Sequence, residues 1–186
     1  AGLICHHVVP EVVDVGKLAQ MLAYDAIIEK FGEILDDTIR KAAVIAKETG
    51  WYQATAELNP LVVEAQKTIA YEVYEQFGVP EFVVVSMGSG GTIYSLWKGF
   101  KELKQLGITT SLPKIVGVQP EGCPAIVNAL TEGASKQKPF SKPSSRALAI
   151  LVAEPLQSEL AINAIRESGG LAVTVSDSEI LAAELQ

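Results

Sequence analysis

The residues with the clearest potential for chemistry are Gly88, Ser89, Gly90, Gly91 and Thr92, which lie between an apolar run and a helical pattern. We call residues 88–92 the glycine loop. Because glycine has no Cβ, an anion can approach the amide N–H groups at the helix N-terminus, where the helix dipole adds partial positive charge. The hydroxyls of Ser89 and Thr92 can donate to the same oxygens. The pattern predicts a phosphate site; a glycine-rich turn without a ligand is the alternative.

The spacing of the glycines narrows the kind of phosphate. A nucleoside triphosphate loop needs a lysine after its second glycine, and none follows here. A dinucleotide fingerprint needs a third glycine at the position of Ile93. A lone phosphate ester, such as that of pyridoxal phosphate, requires only the amides and the helix terminus. The loop therefore favours a ligand of that kind.

Two other polar clusters have structural interpretations. In Cys5-His6-His7 the adjacent histidines of a strand point to opposite faces, and no acidic or cysteine cluster completes a metal site, so we predict none. Asp36 and Asp37 open a helix and are interpreted as favourable first-turn charges, not as an acid–base pair.

Two residues near a strand end are further candidates. Glu121 and Cys123 follow a strand at the edge where open parallel sheets bind ligands, so either could face a cofactor ring. A buried structural thiol is the alternative for Cys123. Trp97 and Phe100 lie three residues apart on one helix and are predicted to be core.

Strand and helix patterns alternate along the chain, which predicts an α/β fold with open parallel sheets, helices on both faces and two three-layer units. The predicted strands include WYQATAEL (51–58) and RALAILVA (146–153), and one helix is predicted from Leu61 to Gly78. Asn59-Pro60 interrupts the pattern. We therefore predict a smaller domain over residues 1–58 and part of a larger, phosphate-binding domain over 59–186.

The amino-acid composition limits the classes of molecule that the protein can bind. The net charge is −7 and no dense lysine or arginine stripe is present, which argues against nucleic acid and anionic membranes. Two distant cysteines and no leader pattern indicate a cytoplasmic protein. A mean hydropathy of +0.26 suggests apolar surface that something else covers, and we predict a homo-oligomer, a dimer in the first instance.

Several sequence blocks resemble the threonine synthases, which are fold type II pyridoxal-phosphate enzymes similar to the tryptophan synthase β subunit. The blocks are GKLAQMLAY (16–24), NP followed by QKTIAYE (66–72), VVVSMGSGGTIYSLWKGFKEL, PKIVGVQPEGCP and AIRESGGLAVTVSDSEIL. The resemblance runs colinearly over nearly all 186 residues. It implies that Gly88, Ser89, Gly90, Gly91 and Thr92 bind the phosphate of pyridoxal phosphate, and that the substrate is an amino acid.

Other motifs of that family are not found in this sequence. The family uses a lysine in S-F-K-D as its Schiff-base residue, S/T-x-G-N for the substrate carboxylate and a Ser or Thr facing the pyridine nitrogen. No residue is therefore predicted to be catalytic. Where the family has an arginine and a small hydroxyl residue that hold the substrate phosphate, this chain has Val62 and Glu57. Family glycines are replaced by Asp25, Ala65 and Ala153.

These features lead to one expectation and two alternatives. The resemblance implies a lyase that converts O-phosphohomoserine to threonine, with this chain inactive as the middle part of such an enzyme. The first alternative is a short paralogue that has lost catalysis and acts in binding or assembly. The second is a pyridoxal-phosphate lyase or dehydratase whose amino-acid substrate carries no phosphate.

Overall fold

The computed structural model describes residues 2–185. Contacts divide the chain into two compact units, Ala1–Leu58 and Asn59–Gln186. Ala1 and Gln186, the outer limits of the two predicted domains, lie outside the described residues.

The first unit contains a two-stranded parallel sheet. Strand β1 (His6–Val9) pairs with β2 (Ile27–Lys30), and helix α1 (Val15–Ala23) connects them. Helix α2 (Leu35–Thr49) follows β2 and packs on β1. It ends at Gly50, whose φ of 72° is left-handed and therefore suits glycine.

The second unit contains a three-stranded parallel sheet. The strands, in spatial order, are β3 (Phe82–Ser86), β4 (Lys114–Pro120) and β5 (Leu171–Val175). Among the described residues, six helices belong to this unit: α3 (Pro60–Gln66), α4 (Thr68–Phe77), α5 (Gly91–Gln105), α6 (Ala125–Thr131), α7 (Ser158–Glu167) and α8 (Asp177–Glu184). The prediction of an α/β fold with parallel sheets is confirmed.

The core of the second unit consists of two clusters that share α5. One joins α5, α6 and α7 to the sheet around Ile115, and the other joins α5 to α4 around Phe100. Trp97 and Phe100 are both buried, as the helical spacing predicts. The clusters meet the sheet face that carries Val83 and Val85.

The opposite face of this sheet is open. Val84 is 67% exposed and Leu171 is 50% exposed, although both are on strands that the sequence predicts to be covered on two sides. Among residues 2–185, no helix contributes a buried cluster to this face. The helices of the second unit that build its core therefore lie on one side of the sheet.

Two predicted strands are wrong. Residues 51–55 form no ladder and residues 56–58 turn, and RALAILVA contains a short 3₁₀ helix at Leu148–Ile150 instead of a strand. A strand requires a paired neighbour, and neither segment has one among the described residues. Apolar composition alone could not reveal that.

The helix predicted between Leu61 and Gly78 is interrupted at Lys67, which separates α3 from α4. The interruption lies against α5: a Cβ on Gly99 would stand 2.6 Å from the carbonyl oxygen of Lys67. Gly99 therefore allows the two segments to approach closely. Along residues 2–185, none of the helices has both the length and the apolar character that crossing a bilayer requires.

Candidate functional site

The glycine loop lies at the carboxyl end of β3, between that strand and α5. The amide of Met87 donates to the carbonyl of Val118 at 2.8 Å and completes the pairing of β3 with β4. Gly90 then has φ of +101°, which side chains rarely adopt, and serves as the N-cap of α5. The first helical hydrogen bond runs from Tyr94 to the carbonyl of Gly90 at 3.2 Å. The chain therefore passes from strand to helix within a few residues.

The amides of this loop are the feature that matters for an anion. Within the described part of the chain, no acceptor takes a hydrogen bond from the amides of Gly88, Gly90, Gly91 or Thr92. Those of Gly91 and Thr92 belong to the first turn of α5, whose N–H groups have no partner inside the helix. Several unsatisfied donors thus lie within five residues, where the helix dipole favours negative charge.

Packing restricts the two central glycines to different degrees: Gly90 has fixed neighbours, whereas Gly91 meets only the movable end of a glutamine side chain. A Cβ on Gly90 would stand 2.8 Å from the Cβ of Ala161 and 3.0 Å from the carbonyl oxygen of Gln157. A Cβ on Gly91 would stand 2.1 Å from Oε1 of Gln157. Helix α7 therefore begins directly against the loop. Glycine at these two positions does not by itself indicate a ligand, and the case for an anion rests on the amides.

Gln157 is a residue near the loop that sequence reasoning missed. Its amide donates to the carbonyl of Ser89 at 3.2 Å, and its own carbonyl accepts from Ala161 at 3.1 Å. Gln157 thereby connects the loop to the first turn of α7. Pro155 before a helical pattern signals the start of a helix, but nothing in the sequence shows that this start meets residues 88–92.

Gly88 contacts a third segment. A Cβ on Gly88 would stand 3.3 Å from Cγ2 of Val152 and 3.4 Å from Cα of Ile150. The thiol of Cys123 donates to the carbonyl of Val152 at 3.3 Å and is fully buried. Cys123 is therefore a structural thiol that anchors the segment beside the loop, the second of its two predicted interpretations.

The ends of β4 and β5 lie at the same edge of the sheet as the loop, because all three strands are parallel. Glu121 lies just after β4 and is exposed. Its amide donates to the carbonyl oxygen of Val175, at the end of β5, at 2.9 Å. Asp177 accepts from the Ser145 hydroxyl at 2.6 Å and from the Arg146 amide at 3.1 Å. That a cofactor ring faces Glu121 stays a prediction.

The other polar candidates lie elsewhere. Asp37 Oδ2 accepts from the amides of Glu33 and Ile34 at 3.1 and 3.4 Å, and these bonds lower the pKa of the carboxyl group. Its role in the first turn of α2 is confirmed. His6 Nε2 lies 3.2 Å from Oε2 of Glu29. Over residues 2–185, no group of three or more His, Cys, Asp or Glu side chains has the arrangement of a metal site.

The positions that differ from the threonine synthase pattern fall in both units. Asp25 has a left-handed backbone, with φ of 55°, which accounts physically for a glycine at this position in the family. Ala65 is in α3, and Ala153 is buried beside Val152. Glu57 belongs to the first unit and Val62 to α3 of the second.

The residues present at the loop fit a phosphate group. Unsatisfied amides, a helix N-terminus and the half-buried Thr92 provide donors at one place. A phosphate ester needs this and no metal or lysine.

The chain is similar in sequence to two archaeal threonine synthases. It is 40% identical to that of Methanosarcina acetivorans over 174 residues, which are 92% of this chain and 43% of the relative. It is 38% identical to that of Methanocaldococcus jannaschii over 187 residues, 99% of this chain and 46% of the relative. The chain thus spans about half the length of the curated relatives it matches.

Solved structures share the fold. A pyridoxal 5′-phosphate-dependent aspartate racemase matches with a TM-score of 0.80 at 21% identity, over 98% of this chain and 53% of that one. Maize serine racemase matches with a TM-score of 0.78 at 19% identity, over 98% and 52%. Residues 1–186 match the family described as pyridoxal-phosphate dependent enzyme. The chain, with its glycine loop between a parallel strand and a helix, therefore belongs to the pyridoxal-phosphate dependent enzyme family.

Proposed function

We propose that this chain is a cofactor-binding part of a threonine-synthase-like lyase, and that its glycine loop binds the phosphate of pyridoxal phosphate. The observation that carries the proposal is the set of unsatisfied amides at Gly88, Gly90, Gly91 and Thr92. The identity of 38–40% to two threonine synthases supports the reaction class. The amino-acid substrate and the cytoplasmic location are part of the same proposal.

The chain's own residues bind and orient the cofactor phosphate. The loop amides donate to the phosphate oxygens, Thr92 adds a hydroxyl, and the N-terminus of α5 contributes partial positive charge. Gln157 and Val152 keep the loop in place from two sides. When bound, pyridoxal phosphate supplies an electron sink for carbanions at the substrate.

The chain alone is proposed not to attach the cofactor covalently. S-F-K-D, the motif that carries the family's Schiff-base lysine, does not occur in the sequence. Lys67 and Lys98 are paired with Glu64 and Glu102 in a surface network. Their ammonium groups are stabilised as cations, and the pKa of each is raised by hydrogen bonds to these carboxylates. A neutral amine, which attack on an aldehyde requires, is thereby disfavoured at both positions.

A second candidate is a lyase or dehydratase for an amino acid without a phosphate group. Val62 and Glu57 stand where the resemblance expects an arginine and a small hydroxyl residue. Valine cannot make the bidentate contact of arginine, and a carboxylate repels phosphate. This substitution pair favours a non-phosphorylated substrate over O-phosphohomoserine. A non-catalytic binding or assembly role stays the third possibility.

The test is equilibrium dialysis of the chain against pyridoxal 5′-phosphate and, separately, pyridoxal. We expect saturable binding of the phosphorylated compound alone, and no stoichiometric adduct at one lysine after borohydride reduction. Thr92→Val should weaken binding roughly 10-fold, because a hydrogen bond to a charged group is lost.

Thr131→Val is the matched control, since the Thr131 hydroxyl is exposed on α6 and bonds the carbonyl of Val127 at 3.0 Å. Equal binding of pyridoxal and its phosphate, or an unchanged affinity in Thr92→Val, would refute the loop assignment. Gly90→Val is unsuitable as a test because the new side chain would displace Ala161 and Gln157.

A further inference from the structure

The side chain of Gln157 lies against the glycine loop. A Cβ on Gly91 would stand 2.1 Å from Oε1 of Gln157, 3.1 Å from its Cδ and 3.6 Å from its Nε2. The carboxamide therefore lies beside the first residue of α5. We propose that the Gln157 side chain is a further phosphate ligand, with its Nε2 donating to the anion beside the loop amides. This inference rests on the proposed phosphate binding and adds a residue to it.

The Gln157 carboxamide has unused hydrogen-bonding capacity. It carries two N–H donors and one carbonyl acceptor. Across residues 2–185, no hydrogen bond to this side-chain amide is found. The side chain is partly buried, so some of its polar surface is withdrawn from water without a protein partner. A charged oxygen at the loop would supply that partner.

The main chain fixes the position of Gln157 relative to the loop. Its amide donates to the carbonyl of Ser89 at 3.2 Å, and its carbonyl accepts from Ala161 at 3.1 Å. Both bonds use main-chain groups, so they leave the side chain free to rotate. A donor that is already held beside its ligand loses little freedom when it binds.

Ser158 is a second polar residue without a side-chain partner at the start of α7. It is 1% exposed, and its hydroxyl makes no hydrogen bond within the described part of the chain. Ser158 lies between Gln157 and Ala161, the two α7 positions that border Gly90. Because buried polar groups are normally paired, the start of α7 has more polar groups than the described residues satisfy. A polar ligand beside this turn accounts for that excess.

The carboxamide can act as an acceptor or as a donor at this place. Its oxygen is its atom nearest to Gly91, and the positive end of α5 favours an acceptor there. A phosphate oxygen needs a donor instead, and rotation about the last side-chain bond exchanges Oε1 and Nε2. Glutamine therefore suits both arrangements, whereas glutamate has no donor. A side chain that only filled the space beside Gly91 would need no polar end.

The first experiment follows the side-chain ¹⁵NH₂ signals of glutamine in the 186-residue chain during titration with inorganic phosphate and with pyridoxal 5′-phosphate. The Gln157 signals are assigned by their loss in Gln157→Met. They should shift saturably with both ligands, with the same Kd as the loop amides. The signals of Gln105, which is exposed at the other end of α5, should not shift.

The two proposals fail in different ways. If the loop amides shift and the Gln157 side-chain signals do not, the role of Gln157 is refuted and the phosphate proposal stands. If the loop amides do not respond to either ligand, the phosphate proposal itself is refuted, and the role of Gln157 with it.

Two substitutions at Gln157 separate a hydrogen bond from bulk and charge. Gln157→Met keeps a side chain of similar length without a donor and should weaken phosphate binding roughly 10-fold, because a hydrogen bond to a charged group is lost. Gln157→Glu also places a negative charge beside the anion and should weaken binding further. Its melting temperature should not fall, since a helix N-terminus favours a carboxylate.

Gln105→Glu is the matched control, because it makes the same change of charge at the far end of α5. We expect it to bind phosphate as tightly as the unmodified chain does. An unchanged affinity in Gln157→Met would overturn the hydrogen bond, and so would equal affinities of Gln157→Glu and Gln105→Glu.

Discussion

Asp25 occupies a position whose backbone conformation favours glycine. It has φ of 55° at the turn between α1 and β2, and it is the one residue other than glycine with positive φ among residues 2–185. A side chain in this conformation is strained, although less for aspartate than for most residues. The glycine that the resemblance expects would relieve the strain.

We predict that Asp25→Gly stabilises the first unit by about 0.5 kcal/mol, the relief of strain being partly offset by the greater freedom of the unfolded chain. Ala65→Gly, another change toward the family pattern, should instead destabilise by about 1 kcal/mol because Ala65 is helical. Urea unfolding monitored by circular dichroism measures both. If both substitutions change the free energy of unfolding in the same direction, the proposed strain at Asp25 is contradicted.

At the residue scale, the sequence could identify the loop but not its surroundings. Gly90 has φ of +101°, a conformation that suits glycine, while the close approach of an anion to it stays a prediction. The contacts of the loop with Gln157 and Val152 join residues more than 60 positions apart, and no local pattern contains that information. Cys123 and Trp97 were predictable because burial follows from their apolar neighbours on a strand end and a helix.

At the scale of elements, an ion network joins the interrupted helix pair to α5. Lys67 lies 2.6 Å from Glu64 and 2.9 Å from Glu102, and Lys98 pairs with both carboxylates. The hydroxyl of Tyr71 also donates to Glu102. Hydrogen bonds from Lys98, Tyr71 and Lys67 lower the pKa of Glu102 from 4.5 to about 2.

We predict that Glu102→Gln lowers the free energy of unfolding by about 1–2 kcal/mol at pH 7, since charge-assisted hydrogen bonds to two lysines are lost. Because the pKa is depressed in the folded state, the stabilisation is fully present above about pH 4.5 and is lost as the pH falls toward about 2. Urea titrations at pH 7 and pH 3 measure the difference.

Glu132→Gln is the control for this network. Glu132 pairs with Lys138 at 2.9 Å, but the lysine is 82% exposed, so the pair should contribute little. The network does not stabilise the fold if both substitutions lower the free energy of unfolding equally. The same conclusion follows if the loss of stability in Glu102→Gln is as large at pH 3 as at pH 7.

The elements were largely predictable from periodicity, and the failures have a common cause. Helical spacing located α1, α2, α5 and α7, and apolar runs located β3, β4 and β5. The two wrong strands, 51–58 and 146–153, have strand-like composition but no pairing partner among the described residues. Strand formation depends on neighbours distant in sequence, whereas a helix satisfies its own backbone.

At the scale of the whole molecule, an apolar sheet face remains exposed in the second unit. Val84 pairs in register with Val116, which pairs with Leu171, and the outer two are 67% and 50% exposed. An exposed contiguous apolar patch favours association. We therefore still propose a homo-oligomer, in which this sheet face forms the contact between copies of the chain.

We predict that the double variant Val84→Thr/Leu171→Thr shifts the chain toward monomer, because it removes apolar surface while keeping the charge unchanged. Val83→Thr is the matched control: Val83 faces the buried clusters, so this change should lower stability by about 1 kcal/mol without altering association. Sedimentation velocity measures the state. A double variant that associates as strongly as the unmodified chain would exclude this face.

The central claim, that the glycine loop binds the cofactor phosphate, is tested most directly by an NMR titration of the ¹⁵N-labelled chain. We predict that pyridoxal 5′-phosphate produces saturable shifts of the amides of Gly88, Gly90, Gly91 and Thr92, and that inorganic phosphate shifts the same amides while pyridoxal does not. Shifts confined to other residues, or loop amides that do not respond to either phosphate, would contradict it.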